Sequence, residues 1–305
     1  MKQTIVAYIK ISLAMAIVGS SVVAGKLILS SFPIFLASEF RFIIATLILI
    51  PLLLWREKRI AAIKPKVLLI LFLQALTGVF LFNIFMLYGL KFTTAIEAGV
   101  ITSTLPAIIG IISFVFLKER LTPKKIIGII LAVIGVLLMN VISGGSSSIN
   151  SLLGNSLIIG AVLTEALFIT LGKSVSSKVS PLTISTMMSI FGLILFLPFA
   201  LYEAKNFTFS TVDIIDWLNI LYFGVVITVI AFLLMYQGLS KVSASSAGIL
   251  TSILPLSTVI LSFLVLKEKI LLSHIVGMAF VLVAIFVLSK ESTKEETDSQ
   301  TAISP

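Results

Sequence analysis

Long apolar runs, separated by short polar connections, are the feature that most constrains how this chain can fold. Runs such as 126–141 and 275–288 contain no charged residue. About 20 residues of helix cross a hydrocarbon core of roughly 30 Å. Backbone groups find no partners in lipid, so only helices or closed barrels cross it. Because the runs show no alternating polarity, we predict helices rather than barrel strands.

The composition also indicates a membrane protein. The 305 residues are 59% hydrophobic and 11% charged, whereas a soluble domain has about 25% charged residues. The charges are too few to cover a water-facing surface of this size. Since the chain has no cysteine, a disulfide framework and cysteine-ligated metal sites are excluded.

The apolar runs predict an all-α integral membrane protein of about ten transmembrane helices. A cytoplasmic N-terminus puts 16 Lys and Arg residues inside and five outside, as the positive-inside rule requires, so both termini are predicted to be cytoplasmic. This bias also explains the net charge of +9 without a nucleic-acid surface. The predicted spans are 7–30, 33–54, 67–89, 93–117, 124–143, 153–175, 182–202, 213–237, 243–266 and 271–289.

The chain contains an internal repeat. Residues 89–135 align with 238–284 at a constant offset of 149, with 17 identities in 47 positions. The earlier parts align more weakly, at offsets of 147 and 148. We therefore predict two five-helix domains. Their bounds are 7–143 and 153–289, with a Gly/Ser-rich linker at 144–152 and a disordered polar tail at 290–305.

Five spans in each half is an odd number, so the second copy enters the membrane inverted relative to the first. Inverted repeats are typical of secondary transporters, which hold the substrate near the midplane between the halves. The repeat therefore predicts a transporter that works by alternating access.

The best-matched motifs resemble a known family. Gly99-x6-Pro106, followed by Leu117-Lys118-Glu119-Arg120 and Gly128, is similar to the end of an EamA domain, and the second half repeats the pattern. EamA proteins form the ten-helix branch of the drug/metabolite transporter superfamily. The resemblance covers about residues 7–290. It implies export or exchange of small metabolites, such as amino acids or related compounds, across a bacterial cytoplasmic (inner) membrane.

Two charged residues lie deep in predicted spans. At 1.5 Å per residue, Arg41 is about 12 Å from Pro33, and Glu165 is about 20 Å from Leu152. A charged residue at this depth usually faces a partner or a water-filled cavity. We expect Arg41 to bind an anionic group, and Glu165 to bind an amine or carry a coupling proton. The alternative is a mutual ion pair, or a role in holding helices together, without substrate contact.

Helices four and nine each carry a mid-span proline that frees a backbone carbonyl. Hydroxyl side chains stand in the preceding turn. Either they bind substrate together with the freed carbonyls, or they only satisfy the kink. The predicted binding residues are Thr102, Ser103, Pro106, Thr251, Ser252 and Pro255. Residues predicted for the cavity or its vestibule are Glu39, Asn83, Tyr88, Glu97, Tyr236 and Gln237.

Catalysis has little support, since the sequence shows no nucleophile–base set, metal-ligand cluster or phosphate-binding loop. The connections are too short for a nucleotide domain, so a gradient is expected to drive transport. No cofactor is expected. The expected partners are a small-molecule substrate, the lipid bilayer and a coupling proton, and a homodimer is one candidate assembly. A channel-like facilitator and a non-transporting receptor or assembly factor remain alternatives.

Overall fold

The computed structural model describes residues 2–28, 31–57, 63–92, 101–102, 104–140, 149–267 and 272–301. Within these residues the chain is helical with short connections, and it contains no β-strand. We number the helices α1 to α10 in chain order. They are Lys2–Ile28, Ile34–Arg56, 65–92, Leu105–Leu117, Pro123–Asn140, Ile149–Ser176, Pro181–Ala204, Ile214–Leu239, 244–266 and Leu272–Thr301.

Seven helices in the described part of the chain are long and apolar enough to cross a membrane: α1, α2, α3, α6, α7, α8 and α9. The apolar helices at 105–117 and 274–288 are shorter, and α5 has 18 residues. Outward-facing Leu47 and Phe116 are 69% and 73% exposed, as suits a surface that meets lipid tails. The prediction of an all-α membrane protein of about ten helices is confirmed.

Two helix ends differ from the sequence prediction. Helix α10 continues to Thr301, although a disordered tail was expected from residue 290. Segment 290–301 is rich in Lys and Glu, which have good helix propensity, and it extends an existing helix without a new nucleation cost. Helix α6 begins at Ile149, inside the predicted linker, and linker residues 144–148 lie outside the described residues.

The main helix contacts are symmetric between the halves. The internal repeat relates each helix of the first half to the helix numbered five higher, so α1 corresponds to α6 and α5 to α10. The closely packed pairs α2–α7 and α5–α10 then map onto themselves. Helix α6 packs against α3 and α4, and α1 packs against α8 and α9 in the corresponding way. The bundle therefore consists of two interlocked five-helix repeats.

Close packing between the halves depends on glycine at two crossings. A methyl group added at Gly19 of α1 would come 2.6 Å from Leu254 O of α9. One added at Gly135 of α5 would come 2.8 Å from Gly277 O of α10. The backbones approach closely at both crossings because glycine has no side chain.

Helices α3 and α8 each contain a π-helical segment at matching positions, Ala75–Leu81 and Phe223–Ile230. Side chains on the same helices bind carbonyls in these segments. Asn83 Nδ2 donates to Val79 O at 2.6 Å, and Thr228 Oγ1 donates to Phe223 O at 2.9 Å. Short π segments inside α-helices are frequent at functional sites.

Helix α9 is interrupted rather than kinked. It consists of Ala244–Leu250 and Ile253–Leu266, joined by a turn at 251–252. At the matching level of the first half, Thr104 forms a turn directly before α4. Pro106 and Pro255 lie in the first turn of the segments that follow, where a missing N–H breaks no helical hydrogen bond. The mid-helix proline kinks expected from the sequence are therefore breaks between segments.

Candidate functional site

A cavity of about 730 Å³ lies between the two halves. Its wall is mainly apolar, and three methionines and three phenylalanines contribute to it. Most lining residues belong to α1, α3, α4, α6, α8 and α9. Its apolar lining includes Met15, Val18, Gly78, Val79, Phe82, Met86, Leu105, Val162, Phe168, Ile227, Ala231, Phe232, Met235 and Leu254. Its polar lining includes Ser21, Arg41, Asn83, Thr102, Glu165, Thr228, Thr251, Ser252 and His274.

The lining repeats between the halves. Five positions of α3 line the cavity, and the five positions of α8 that lie 149 residues later also line it. Thr102 and two positions of α4 match three of α9 at the same offset, and three of α1 match three of α6 at an offset of 147. The cavity is therefore centred between duplicated surfaces, where inverted-repeat transporters hold their substrates. The matched pairs on α1 and α6 are Met15 and Val162, Val18 and Glu165, and Ser21 and Phe168.

The cavity extends toward one end of the bundle. We call the end where α1 begins the N-terminal face, and the end where α10 begins the opposite face. His274, the third residue of α10, lines the cavity. Met86 and Ser21 line it near the far ends of α3 and α1. Among the described residues, none of the connections at the N-terminal face lines the cavity, so its described part extends toward the opposite face.

Hydrogen bonds between the halves close the N-terminal face. Glu119 of the first half accepts bonds from Ala244 N at 2.7 Å and from Ser245 N at 3.1 Å, at the start of α9. Ser245 Oγ also donates to Glu119, at 2.9 Å. A carboxylate is favoured at a helix N-terminus because free N–H groups point toward it. Lys10 Nζ of α1 donates to Gln237 Oε1 of α8 at 2.7 Å.

Glu119 belongs to a motif that is repeated in both halves. Its carboxylate binds the start of α9 in the other half. The preceding residue, Lys118, has a φ of 54° and ends α4, and Lys267 at the repeated position has a φ of 56°. The repeated Leu-Lys-Glu motif thus ends both helices in the left-handed conformation. Thr122 Oγ1 accepts from Lys125 N at 3.3 Å and so caps the start of α5.

Arg41 and Glu165 both line the cavity. The Arg41 guanidinium lies over the Phe42 ring, 4.3 Å from its centroid, and its buried Nε has no hydrogen-bond partner. Ser189 occupies the repeat position of Arg41 and donates to Ser185 O at 3.1 Å. In the part of the chain that the structure describes, Arg41 and Glu165 do not pair with each other. Arg41 and Glu165 therefore each have an uncharged residue at the repeat position in the other half.

Glu165 lies beside a buried polar network. Its carboxylate interacts electrostatically with the Tyr236 hydroxyl. Gln74 Nε2 donates to Tyr236 Oη at 2.9 Å and to Phe168 O at 3.1 Å. Tyr236 and Gln74 have no exposed surface. Gln74 is the last α-helical residue before the π segment of α3, so the network extends from the region of Glu165 to this π segment.

The predicted hydroxyl and proline residues meet the cavity where the structure describes them. Thr102, Pro106, Thr251, Ser252 and Pro255 line it, whereas Ser103 lies outside the described residues. Thr251 Oγ1 donates to Gly248 O at 2.7 Å. Ser252 Oγ is buried without a hydrogen-bond partner.

The predicted vestibule residues are dispersed. Asn83 lines the cavity. Glu39 is buried away from it, with both carboxylate oxygens unpaired, and Tyr88 is 45% exposed outside the lining. Gln237 bonds to Lys10 at the N-terminal face, and Tyr236 supports Glu165 from behind the wall. Glu97 lies outside the described residues.

Several lining residues were not singled out from the sequence. Met86 and Met235 occupy matching positions of α3 and α8. The π segments beside them have no sequence signature, because apolar residues are common on every face of a membrane helix. Applying the offset of 149 to α3 was the signal that could have found them. His274, near the start of α10, also lines the cavity.

Comparison with known sequences decides the family. The EamA-like transporter family profile matches residues 5–141 and again residues 152–290. The chain belongs to the EamA-like transporter family. Each match covers one of the two five-helix repeats, so the family resemblance inferred from the motifs is confirmed.

Relatives of this EamA protein are named as transporters. The uncharacterized transporter YetK of Bacillus subtilis is 48% identical over 288 residues, which cover 94% of this chain and 87% of YetK. An uncharacterized transporter of Archaeoglobus fulgidus is 28% identical over 229 residues, or 75% of this chain and 80% of that protein. A general transporter role in a membrane is therefore supported.

One solved structure shares the fold. A chain titled "Crystal structure of protein" superposes with a TM-score of 0.79 at 17% identity, covering 95% of this EamA protein and 98% of that chain. This similarity supports the fold alone. Among the described residues, no group of three or more His, Asp or Glu side chains is arranged to hold a metal ion.

Proposed function

We propose that this protein is a secondary transporter that exports or exchanges small metabolites, such as amino acids or related compounds, by alternating access. One observation carries the proposal: a cavity between two inverted repeats is closed at the N-terminal face and extends to the opposite face. Breaking the Glu119 contacts while the opposite face closes would expose the same cavity to the other side.

Arg41 is proposed to bind an anionic group of the substrate. It is the one arginine within a predicted span, it lines the cavity, and its Nε has no partner. A guanidinium presents several N–H donors in a planar fork that matches a carboxylate. The Arg41 guanidinium therefore orients the substrate in a cavity whose wall is otherwise mainly apolar.

The interrupted helices are proposed to complete the binding site. The segment Ile253–Leu266 begins at the cavity, and Ser252 presents an unpartnered hydroxyl beside this start. Free N–H groups at a helix start favour negatively charged groups. Thr102, Ser103 and Pro106 are proposed to have the matching role in the first half.

The N-terminal face is proposed to be cytoplasmic, in the cytoplasmic membrane of the cell, because Lys and Arg concentrate in its connections. The cavity then faces outward in this conformation. Alternating access requires a second conformation in which the start of α9 separates from Glu119.

Counterflow in proteoliposomes tests the proposal. Vesicles are loaded with the twenty standard amino acids, small organic acids or amines, and uptake of trace labelled compound is measured. Saturable counterflow of one class supports a carrier. Uptake without counterflow would favour a channel-like facilitator. No movement of any compound by folded protein would contradict transport and favour a receptor or assembly factor.

A further inference from the structure

Glu165 is a carboxylate with an unusual setting. It lies about halfway along the span Leu152–Ser176 and lines the cavity, and within the described residues no cation pairs with it. Its neighbours in the wall include Val162, Phe168 and Ile169. A charged carboxylate in such a wall is costly unless water or a positive group neutralises it.

A proton suits this setting better than a bound ammonium. An ammonium group donates three hydrogen bonds and needs several acceptors. The lining side chains next to Glu165 on α6 are Val162, Phe168 and Ile169, which supply no second or third acceptor. A proton needs only the carboxylate itself. It can arrive and leave through water in the cavity, without a change in any other bond.

Two buried side chains, Tyr236 and Gln74, form a hydrogen-bonded pair in the region of Glu165. Tyr236 Oη already accepts a hydrogen bond from Gln74, so its own proton can be directed to the nearby Glu165. Gln74 in turn holds Phe168 O, one helical turn along α6 from Glu165. Phe168 packs against Gly78 in the π segment of α3. The network therefore connects the charge on Glu165 to a wall segment that is irregular in both halves.

The surrounding titratable groups are few. Tyr236 faces Glu165 from α8, Arg41 of α2 and His274 of α10 line the same cavity, and the lining residues of α1, α3, α4, α5 and α9 include no Asp, Glu, Lys, Arg, His or Tyr. The repeat aligns Glu165 with Val18, Tyr236 with Leu87 and Gln74 with Phe223. Each of these three residues thus has a residue of a different type at its repeat position.

We propose that Glu165 takes up and releases the coupling proton of the transport cycle, with Tyr236 and Gln74 as positioning residues. The proposal rests on the proposed transport function and names the ion coupled to it. The proton passes from water on one side to the carboxylate and, after the cavity reorients, to water on the other side.

Infrared difference spectroscopy tests proton binding without any substrate. The purified protein is stepped through pH, and the band of the protonated carboxyl group is recorded. We expect a titrating band that is lost in Glu165→Gln and that titrates at a changed pH in Tyr236→Phe. Glu39→Gln is the matched control, because Glu39 is an unpaired buried carboxyl away from the cavity. A band unchanged by Glu165→Gln would overturn the assignment.

Proton movement during transport gives the second arm. Vesicles that contain a pH-sensitive dye receive the mixture of twenty standard amino acids. In vesicles without internal amino acid, we expect the ratio of protons moved to net amino acid taken up to fall at least tenfold in Glu165→Gln. Loss of exchange and proton movement together, in folded protein, would instead assign Glu165 to substrate contact. Absent counterflow in the wild type would count against transport itself, while the infrared result would still report on Glu165.

The mirror variant tests the positioning residues. Val18→Glu combined with Glu165→Val moves the carboxylate to the duplicated lining position, and the sequence repeat has no Tyr or Gln in place of Tyr236 and Gln74. We expect this double variant to lack proton coupling. Full coupling would contradict a role for Tyr236 and Gln74.

Discussion

The two halves of this protein share a scaffold but not a chemistry. The interrupted helix α9 and the turn before α4 occur at the same level, and the π segments of α3 and α8 also match. Eleven lining positions of one half have lining counterparts in the other. In contrast, Arg41 and Glu165 stand opposite Ser189 and Val18. The cavity lining is therefore largely symmetric, whereas its two charged residues each occur in one half.

The helix ends show a second contrast. Helices α2 and α7 are joined at both faces: Glu57 accepts from Ser180 and Thr183, and Glu203 accepts from Leu36 N at 2.8 Å. The start of α9 is held at the N-terminal face by Glu119. We infer that α2 and α7 form the fixed part of the bundle and that α9 belongs to the moving part.

The largest expected effect comes from filling a shared packing site. Gly135→Leu would force side-chain atoms into Gly277 O of α10, and overpacking of this kind costs about 3 kcal/mol. We expect a strong loss of folded protein in thermal unfolding followed by size-exclusion chromatography. Ile134→Leu, at a position 37% exposed, is the control and should unfold like the wild type. Normal stability of Gly135→Leu would contradict the close packing of α5 against α10.

Removing the cation of Arg41, which has no charged counterpart in the other half, should have the next largest effect. Arg41→Gln loses a charge-assisted bond to the substrate, worth about 2 kcal/mol, so the half-saturation concentration in counterflow should rise roughly thirtyfold. Ser189→Ala, at the repeat position, should stay within roughly twofold of the wild type, because its hydroxyl bonds only to Ser185 O. Unchanged transport by normally inserted Arg41→Gln would return Arg41 to a structural role.

The contrast between helix ends predicts a smaller effect. Glu119→Gln weakens the bonds to the start of α9 by about 1 kcal/mol, which should raise the open fraction of the N-terminal face roughly fivefold. The readout is maleimide labelling of Ala244→Cys, a buried position in a chain without other cysteines. Glu57→Gln should leave the labelling rate unchanged. Equal acceleration by both variants would contradict a fixed α2–α7 pair.

The smallest expected effect concerns the helix break. Ser252→Ala removes a hydroxyl that has no partner in the protein, so the unfolding temperature should not fall. If the hydroxyl binds substrate, affinity should weaken by about 0.7 kcal/mol, or roughly threefold. Thr251→Ala, whose hydroxyl already donates to Gly248 O, is the comparison. A drop in stability without a change in affinity would make Ser252 purely structural.

Sequence reasoning predicted the helices and the duplication because both depend on local patterns. Apolar runs reveal membrane spans, and matched prolines and charges reveal the repeat. Arg41 and Glu165 stood out because charge is rare at membrane depth. The Glu119 contact and the Gln74–Tyr236 network were missed, because they join residues 125 and 162 positions apart. The π segments were missed because their side chains resemble those of ordinary membrane helices.

The most direct test of the account is the distance between the halves at the N-terminal face. Spin labels on Arg120→Cys and Lys241→Cys, two exposed positions beside the Glu119 contact, report this distance in proteoliposomes. We predict a short and a long population, with the long one increased by Glu119→Gln. A single short distance, unchanged by Glu119→Gln and by transported compound, would contradict alternating access about the duplicated cavity.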